Sequence, residues 1–353
     1  MVSGPLASMI LGDYGADVVK IEPPESDTLR SYGSRKNGMS GWYANSNRSK
    51  RAITLDLHHP DGAAAMRRLA GGFDVVVQNF RPGVVERLGV AYDDLRPGHD
   101  DLVYVSISGF GDTGPYATRR VYDPIIQTTS GLTMAQANAA GEPQLIRQMI
   151  SDKLTAVAAA QAISAAYIAV LKGRGGQHVQ LAMIDAVTSF VWSDAMMHCT
   201  LLDEDAEHAP NLLGAYRLAP AKDGWLTVGA ATNDQFRGLW AALGKPEVAD
   251  REENSTIAKR AARWAAVVAE YEAELAQYPL AELIPMLQAA DVACSPVLTA
   301  EEVVVDAQVQ HLGTIRVVDH PIAGRMRETR PPAQFGGTPA VPSRPAPGPG
   351  QHT

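Results

Sequence analysis

The chain has 353 residues, of which 46% are hydrophobic and 20% charged, and its formal net charge is −8. This is the composition of an ordinary globular protein, and the length favours about two domains. The net negative charge argues against a broad nucleic-acid-binding face, since such a face needs an excess of Lys and Arg.

The first part of the chain predicts strands and helices in alternation. A helix is expected over 5–14, and a turn from Gly15 leads into a strand that Pro23 and Pro24 stop. Further strand-like runs cover 52–57, 74–77 and 102–107, with a helix over 60–70 between the first two. Continuous apolar runs that alternate with helices are typical of a parallel α/β sheet of Rossmann type.

A glycine-rich loop, SGFGDTGP at 108–115, follows the run at 102–107. No GxGxxG pattern follows the first strand, so the usual dinucleotide fingerprint is missing. Glycines in such a loop either let a ligand approach the backbone or simply form a tight turn. The residues leave both interpretations open.

A long alanine-rich helix is predicted from Asp152 to about Lys172, with Gly173 closing it. Ser151 or Asp152 is expected to be the N-cap, with Thr155 in the first turn. Orphan backbone N–H groups and the helix dipole favour a negatively charged carboxylate at this end. An ionised, positioned carboxylate is what covalent catalysis by Asp requires, although a simple cap fits the same pattern.

A strand is expected at 179–181 and a helix at 184–199. An acidic segment begins at about 203, and the residues after it predict a smaller α+β domain. A hairpin is expected over 216–230, turning at 222–224. Helices are expected over 233–243, 257–276 and 280–290, and a short β region over 295–299. The proline- and glycine-rich tail from Pro331 is expected to lie extended over a surface rather than to form a core.

Three features predict a cytoplasmic protein that does not bind a membrane. Cys199 and Cys294 are the two cysteines, and neither forms a CxxC pair, which suits a reducing compartment. The first residues lack the basic region of a signal peptide. The apolar stretch 154–171 is rich in alanine and carries polar side chains, so a buried core helix is expected there.

Several stretches form an ordered set that covers nearly the whole chain: Gly4-Pro5, GADVVKIE, Asn47–Arg51 leading into Ile53–Leu57, Asn79–Gly83, Glu86–Gly89, SGFGDTGP, Tyr122-Asp123, Asp152, Gly173–Gln177 and Pro347–Thr353. Taken together, these stretches resemble the class III CoA-transferases of the CaiB/BaiF type. Each motif by itself is weak, whereas the set in this order is specific.

The resemblance implies a large Rossmann-like domain and a smaller α+β domain, joined by two linkers, in an interlocked homodimer. On this pattern the large domain covers 1–200 and is completed by 318–353. The small domain covers 213–305, and the linkers cover 201–212 and 306–317. The resemblance also implies relatives that extend further at both ends, with a strand before Gly4 and a helix after Thr353.

The resemblance further implies that CoA moves between carboxylic acids through a thioester on Asp152. Acyl-CoA and a small carboxylic acid are then the substrates, with no tightly bound cofactor and no metal. The implied catalytic residues are Asp152, Tyr122 and Asp123, the last two lying close to Asp152. The implied CoA-binding residues, among them three arginines for phosphate groups, are Leu55, His58, Asn79, Phe80, Arg81, Arg87 and Arg120.

Two alternatives stay open. One is an α-methylacyl-CoA racemase of the same family, which needs two acid/base groups. Tyr122 stands where that branch has a histidine, and a phenol is a poor base at neutral pH. The other is a CoA-binding relative without catalysis.

Overall fold

The computed structural model describes residues 2–138, 140–207 and 216–353, and it divides the chain into two compact units. The first unit comprises Met1–Glu207 and His311–Thr353, and the second comprises His208–Gln310. The linkers predicted at 201–212 and 306–317 stay predictions, and residues 208–212 of the first lie outside the described residues.

The first unit alternates strands and helices. Its elements are α1 (Ser3–Asp13), β1 (Val18–Glu22), β2 (Arg35–Lys36), β3 (Met39–Ser40), α2 (Gly41–Asn47), β4 (Lys50–Thr54), α3 (Pro60–Ala70), β5 (Val75–Gln78), α4 (Val84–Leu88), α5 (Tyr92–Leu95), β6 (Val103–Ser108), α6 (Asp123–Thr129), α7 (Leu132–Ala135), α8 (Ile150–Leu171), β7 (Gln177–Ala182), α9 (Met183–Trp192), β11 (Ile315–His320) and β12 (Gly324–Thr329).

Parallel strand pairing in the first unit confirms the predicted α/β class. Strands β5, β6 and β7 form one parallel sheet with β6 in the middle, and β1 pairs in parallel with β4. All six residues of β6 are buried, which explains why four of them are apolar and the polar two are small serines. Val103, Val105 and Ile107 enter the core that also contains α8, while Tyr104 on the opposite face packs into a second core cluster.

The long helix α8 packs along the core, where small side chains line its contact with α1. Ala156, Ala159 and Ile163 of α8 share one hydrophobic cluster with Ala7 of α1. Small residues at such a contact let two helices approach closely. By length and composition alone α8 could cross a membrane, but in the structure this stripe of the helix faces the core.

The start of α8 differs from the sequence prediction. The helix begins at Ile150 with Met149 as its N-cap, so neither Ser151 nor Asp152 caps it, and Asp152 is the third helical residue. The hydroxyl of Thr155 donates back to the carbonyl of Ser151 over 2.7 Å. The predicted cap was wrong because a side chain from α6 binds the backbone there instead.

Two charged residues of the basic run Asn47–Arg51, Arg48 and Lys50, lie inside the fold, whereas Arg51 pairs with Asp17 at the surface. Arg48 pairs with Asp13 at 2.7 Å, and both partners are almost fully buried. The ammonium group of Lys50, 1% exposed, donates to the Pro5 and Ser46 carbonyls and to Asn47. These charges therefore fix α1 against α2 and β4 rather than facing a ligand.

The C-terminal tail contributes to a core, which corrects the sequence expectation. Ala346 is 2% exposed and packs with Val2, Leu29 and Tyr43. The Pro347 carbonyl accepts a hydrogen bond from Arg30 over 3.0 Å. At its end the tail bonds to the edge of β4, where the backbone N–H of His352 donates to the Ala52 carbonyl over 2.8 Å and Ala52 N donates to His352 Nδ1 over 3.1 Å.

The second unit is a smaller α+β structure with a three-stranded antiparallel sheet, in which the strand Gly224–Gly229 lies between Ala219–Ala221 and Ala293–Pro296. Its elements are β8 (Ala219–Ala221), β9 (Gly224–Gly229), α10 (Asn233–Ala242), α11 (Pro246–Ala249), α12 (Ile257–Ala262), α13 (Trp264–Leu275), α14 (Leu280–Ala289), β10 (Ala293–Pro296), α15 (Ala300–Val305) and α16 (Ala307–His311), which ends just past the boundary.

Two predicted helices are shorter than expected. The helix predicted over 257–276 is broken at Arg263, which leaves helical geometry between α12 and α13. The helix predicted over 184–199 ends at Trp192 and is followed by a short 3₁₀ turn, Met197–Cys199. The predicted hairpin at 222–224 is confirmed by β8 and β9.

Candidate active site

Asp152 lies in the first turn of α8, half-buried, and its carboxylate meets the first turn of α1. Its Oδ1 accepts a hydrogen bond from the backbone N–H of Ser3 over 3.1 Å and another from the Ser3 hydroxyl. Ser3 is the first residue of α1 and is 2% exposed. The carboxylate therefore lies near the positive ends of two helices, its own and α1, and such positions favour a negative charge.

Asp123 holds the backbone of Asp152 from the other side. Its Oδ2 accepts a hydrogen bond from the Asp152 N–H over 2.9 Å, which satisfies one of the orphan donors at the start of α8. Its Oδ1 accepts from Gln127 Nε2 over 2.6 Å. Asp123 is 3% exposed and begins α6, so α6 and α8 are fixed end to end through this carboxylate.

Gln127 secures Asp123 in turn. Its Nε2 also donates to the Ile146 and Gln148 carbonyls, each over 3.1 Å, and its Oε1 accepts from Ile146 N over 3.0 Å. Because Gln127 is 1% exposed and engaged at both ends, its amide orientation is fixed. This one side chain therefore ties α6 to the segment that leads into α8.

Burial affects the ionisation of the Asp123 carboxyl group. Burial raises the pKa of the Asp123 carboxyl above its usual range, and the nearby Asp152 carboxylate adds to the rise. The hydrogen bonds from Gln127 and from the Asp152 backbone act in the opposite direction. Asp123 is thus a buried acceptor, whereas Asp152 is the carboxylate with an accessible side.

The loop after β5 lies against the first turn of α1, beside Ser3. A Cβ atom on Gly4 would lie 3.3 Å from Cγ of Asn79, so the first turn of α1 packs directly against this asparagine. The next residues, Phe80 and Arg81, line a cavity of about 430 Å³ together with side chains from β5, β6 and β7. Asn79 and Asp152 accordingly flank the start of α1.

The other residues predicted to bind CoA are distributed around the first unit. Arg81, Arg87 and Arg120 are exposed, and within the described residues none of them forms an ion pair. Leu55 follows β4 and is half-buried, with its N–H bonded to the Glu22 carbonyl, and His58 is exposed. The structure brings Asn79 next to Gly4, and the binding roles of all seven residues stay predictions.

Tyr122 does not share the contacts of Asp123. It is the N-cap residue of α6, its side chain is 60% exposed, and none of its described hydrogen bonds involves Asp152. Its predicted catalytic role stays a prediction.

The glycine-rich loop positions the segment that carries Asp123. A Cβ atom on Gly109 would lie 2.4 Å from Cγ1 of Val121, a distance that real atoms do not tolerate. Gly111 and Gly114 adopt φ values of 89°, which side chains disfavour. Turn geometry and close packing against Val121 therefore account for these three glycines.

Sequence reasoning missed Ser3 and Gln127. Ser3 directly precedes the Gly4-Pro5 pair that was singled out, but its contact with Asp152 spans 149 positions of the chain. Gln127 lies four residues after Asp123, the spacing of neighbours on one face of a helix. That spacing was the one signal in the sequence for either residue.

The chain is similar to known proteins along its whole length. The sequence model of CoA-transferase family III matches residues 1–353. A succinate–glutarate CoA-transferase of Agrobacterium fabrum is 32% identical, over 100% of this chain and 90% of the relative. An acetyl-CoA:oxalate CoA-transferase of Acetobacter aceti is 31% identical, over 86% of this chain and 79% of the relative. The crystal structure of a CaiB/BaiF family protein from Brucella suis superposes with a TM-score of 0.87 at 30% identity, covering 99% and 93% of the two chains.

Proposed function

This chain belongs to CoA-transferase family III, and from that premise we propose that it moves CoA between carboxylic acids through a thioester on Asp152. The protein is a CoA-transferase, as its named relatives are.

One observation carries the proposal. The backbone N–H of Asp152 donates a hydrogen bond to Asp123, and Oδ1 of its carboxylate accepts hydrogen bonds from Ser3. Oδ2 of the same carboxylate has no hydrogen-bond partner among the described residues. A nucleophile needs this combination of a fixed position and a free lone pair.

The route then follows from the chemistry of a carboxylate and a thioester. Oδ2 of Asp152 attacks the thioester carbonyl of acyl-CoA, the carbon–sulfur bond breaks, and CoA leaves as a thiolate from an enzyme-bound mixed anhydride. The thiolate attacks Cγ of Asp152, and the first acid departs as a carboxylate that takes Oδ2 with it. A second carboxylate attacks the aspartyl thioester, and the same steps run in reverse. The acyl group stays activated throughout, so the exchange consumes no nucleoside triphosphate.

The remaining residues are assigned roles that their contacts support. Asp123 acts as a positioning residue for the backbone of Asp152, since it is buried and bonded to that backbone. Asn79, Phe80 and Arg81 bind the CoA arm, because this loop adjoins the start of α1. Arg87 and Arg120 are unpaired within the described residues and meet phosphate oxygens. Leu55 and His58, which follow β4 in the chain, contact CoA. The exposed side chain of Tyr122 contacts the substrate.

We propose short dicarboxylic acids and their CoA thioesters as the substrates. Two relatives support this class of substrate: one is named for succinate and glutarate, and the other for acetyl-CoA and oxalate. A panel of acyl-CoA donors against mono- and dicarboxylic acids, read by mass spectrometry, tests the class. Faster exchange with monocarboxylic acids would contradict it while leaving the covalent route intact.

Trapping of the intermediate tests the covalent route. The enzyme is incubated with an acyl-CoA and quenched with hydroxylamine or borohydride, and the peptide containing Asp152 is expected to carry the modification. Asp152→Ala should abolish both the modification and the exchange. Asp185→Ala is the matched control, since Asp185 is likewise the third residue of a helix, α9, and this variant should retain activity.

Each alternative gives a different outcome in the same experiment. A protein that only binds CoA leaves every peptide unmodified and exchanges nothing. A racemase also leaves Asp152 unmodified, and it incorporates deuterium from solvent at the α-carbon of a 2-methylacyl-CoA.

We also propose a cytoplasmic, interlocked homodimer. Cys199 and Cys294 are both free thiols, which supports a reducing compartment. Light scattering during size-exclusion chromatography should give twice the chain mass, and the dimer should persist on dilution because interlocked chains separate only after unfolding.

A further inference from the structure

The two oxygens of the Asp152 carboxylate have different surroundings. Oδ1 accepts hydrogen bonds from the N–H and the hydroxyl of Ser3, and Oδ2 has no partner among the described residues. The Ser3 N–H is one of the donors that the first turn of α1 leaves without an intrahelical acceptor. The two donors therefore converge on one atom of the proposed nucleophile.

We propose that Ser3 is a catalytic residue that stabilises negative charge on Oδ1 whenever Cγ of Asp152 is attacked. This inference rests on the covalent route proposed above. With Oδ1 held, Oδ2 is the atom that attacks the acyl-CoA. Oδ1 then becomes the carbonyl oxygen of the mixed anhydride and, later, of the aspartyl thioester.

The charge balance shows at which steps Ser3 acts. When the CoA thiolate attacks Cγ, the π electrons of the Cγ–Oδ1 bond move onto Oδ1, which becomes an oxyanion, and they return when the bond to Oδ2 breaks. When the second carboxylate attacks the thioester, Oδ1 again takes the charge until the bond to sulfur breaks. Donors aimed at such an oxygen stabilise the transition state without having to reorganise. In the first attack, by contrast, the charge develops on the oxygen of the substrate.

The rest of the site keeps Ser3 in place. Ser3 is 2% exposed, and a Cβ atom on the next residue, Gly4, would already lie in tight contact with Asn79, 3.3 Å from its Cγ. The Lys50 ammonium group donates to the Pro5 carbonyl over 2.7 Å, two residues further along α1. Both donors of Ser3 are thus fixed by packing before any substrate arrives.

A step-resolved comparison of Ser3→Ala with the wild type tests the inference. The variant keeps the backbone donor and loses the hydroxyl, so attack of an acid on the isolated aspartyl thioester should slow by about 100-fold with KM little changed. Attack on the acyl-CoA, followed by quenched flow as the loss of the acyl-CoA thioester in a single turnover, should change far less. Ser3→Thr keeps a hydroxyl and should restore most of the rate.

Ser8→Ala is the matched control on the same helix. The Ser8 hydroxyl donates to the Gly4 and Pro5 carbonyls, and its described hydrogen bonds do not involve Asp152, so this variant should react as the wild type does. Melting temperatures of all three variants report whether the fold is intact. A Ser3→Ala enzyme that is folded and slow at every step alike would contradict the inference.

The outcomes separate the two proposals. If wild-type Asp152 is never modified, the covalent route itself fails. If Asp152 is modified in the wild type and folded Ser3→Ala consumes the aspartyl thioester as fast as Ser8→Ala does, the covalent route stands and the role of Ser3 is refuted.

Discussion

Replacing Asp123 by Ala removes the acceptor that holds the backbone of Asp152. The Asp152 N–H at the start of α8 then has no described acceptor, whereas Gln127 Nε2 keeps the Ile146 and Gln148 carbonyls. Loss of a helix N-terminal acceptor costs about 0.5–2 kcal/mol. If this whole free energy destabilises the conformation in which Asp152 can react, kcat falls by about 2- to 30-fold.

That magnitude distinguishes positioning from direct chemistry. A group that transfers a proton in the transition state contributes about 100- to 10,000-fold. Asp123→Asn sharpens the comparison, because its amide oxygen can still accept from the Asp152 N–H, while its NH₂ group faces the Nε2 donor of Gln127 and the bond to Gln127 is lost. This variant removes the charge and keeps the hydrogen bond from the Asp152 N–H, so its kcat should lie within about threefold of the wild type.

The assay is steady-state exchange between the acyl-CoA and the acid that the substrate panel identifies, with kcat and KM measured for both variants. Urea denaturation of each variant checks that the first unit is folded. The reasoning is refuted if Asp123→Asn loses activity as severely as Asp123→Ala, or if either loses more than about 1,000-fold, since the charge would then act in the reaction.

Three further predictions concern the scaffold. Burial would raise the pKa of Glu22, but hydrogen bonds from Arg30 and Tyr43 outweigh it and lower the pKa from 4.5 to about 2. A lowered pKa contributes stability above about pH 4.5 that is lost as the pH falls towards 2. We therefore expect the free energy of unfolding, measured by urea denaturation, to be larger for the wild type than for Glu22→Gln by at most ~3 kcal/mol above pH 4.5. This difference should shrink as the pH falls towards 2, and a difference that stays constant would contradict the prediction. Gly109→Ala should destabilise the first unit by about 1–3 kcal/mol through the clash with Val121, measured by the same denaturation, and an unchanged midpoint would contradict the close packing. Ending the chain after residue 342 should lower the melting temperature, because it removes the buried Ala346 and the bonds to β4 and Arg30.

The helix that carries Asp152 could be predicted because its signals are local. Its alanine content, its C-terminal Gly173 and the acidic residue in its first turn all lie in one stretch. The alternation of apolar runs with helices likewise predicted the parallel sheet, since burial on both faces of a strand leaves a continuous apolar run. Each of these patterns lies within a short stretch of sequence, a few helical turns or one strand, so it can be recognised without knowing the fold.

The N-cap prediction failed for the opposite reason. The Asp152 N–H is satisfied by Asp123, which comes from α6, so α8 begins without a side-chain cap of its own. The basic run Asn47–Arg51 matches a family pattern, yet Arg48 pairs with Asp13, Lys50 donates to backbone carbonyls and Arg51 pairs with Asp17. A sequence records which residues can form such bonds, and it does not record which partner lies within reach.

Local signals in the sequence are enough to place a charged residue in the first turn of a long helix, because helix composition and end signals are local properties of the chain. The surroundings of that residue depend instead on how distant segments pack together. Ser3 reaches Asp152 across 149 positions because Ala7 on α1 and the alanines on α8 let the two helices pack closely. Hydrogen bonds form between atoms that folding brings within about 3 Å, and this proximity is set by packing rather than by order along the chain.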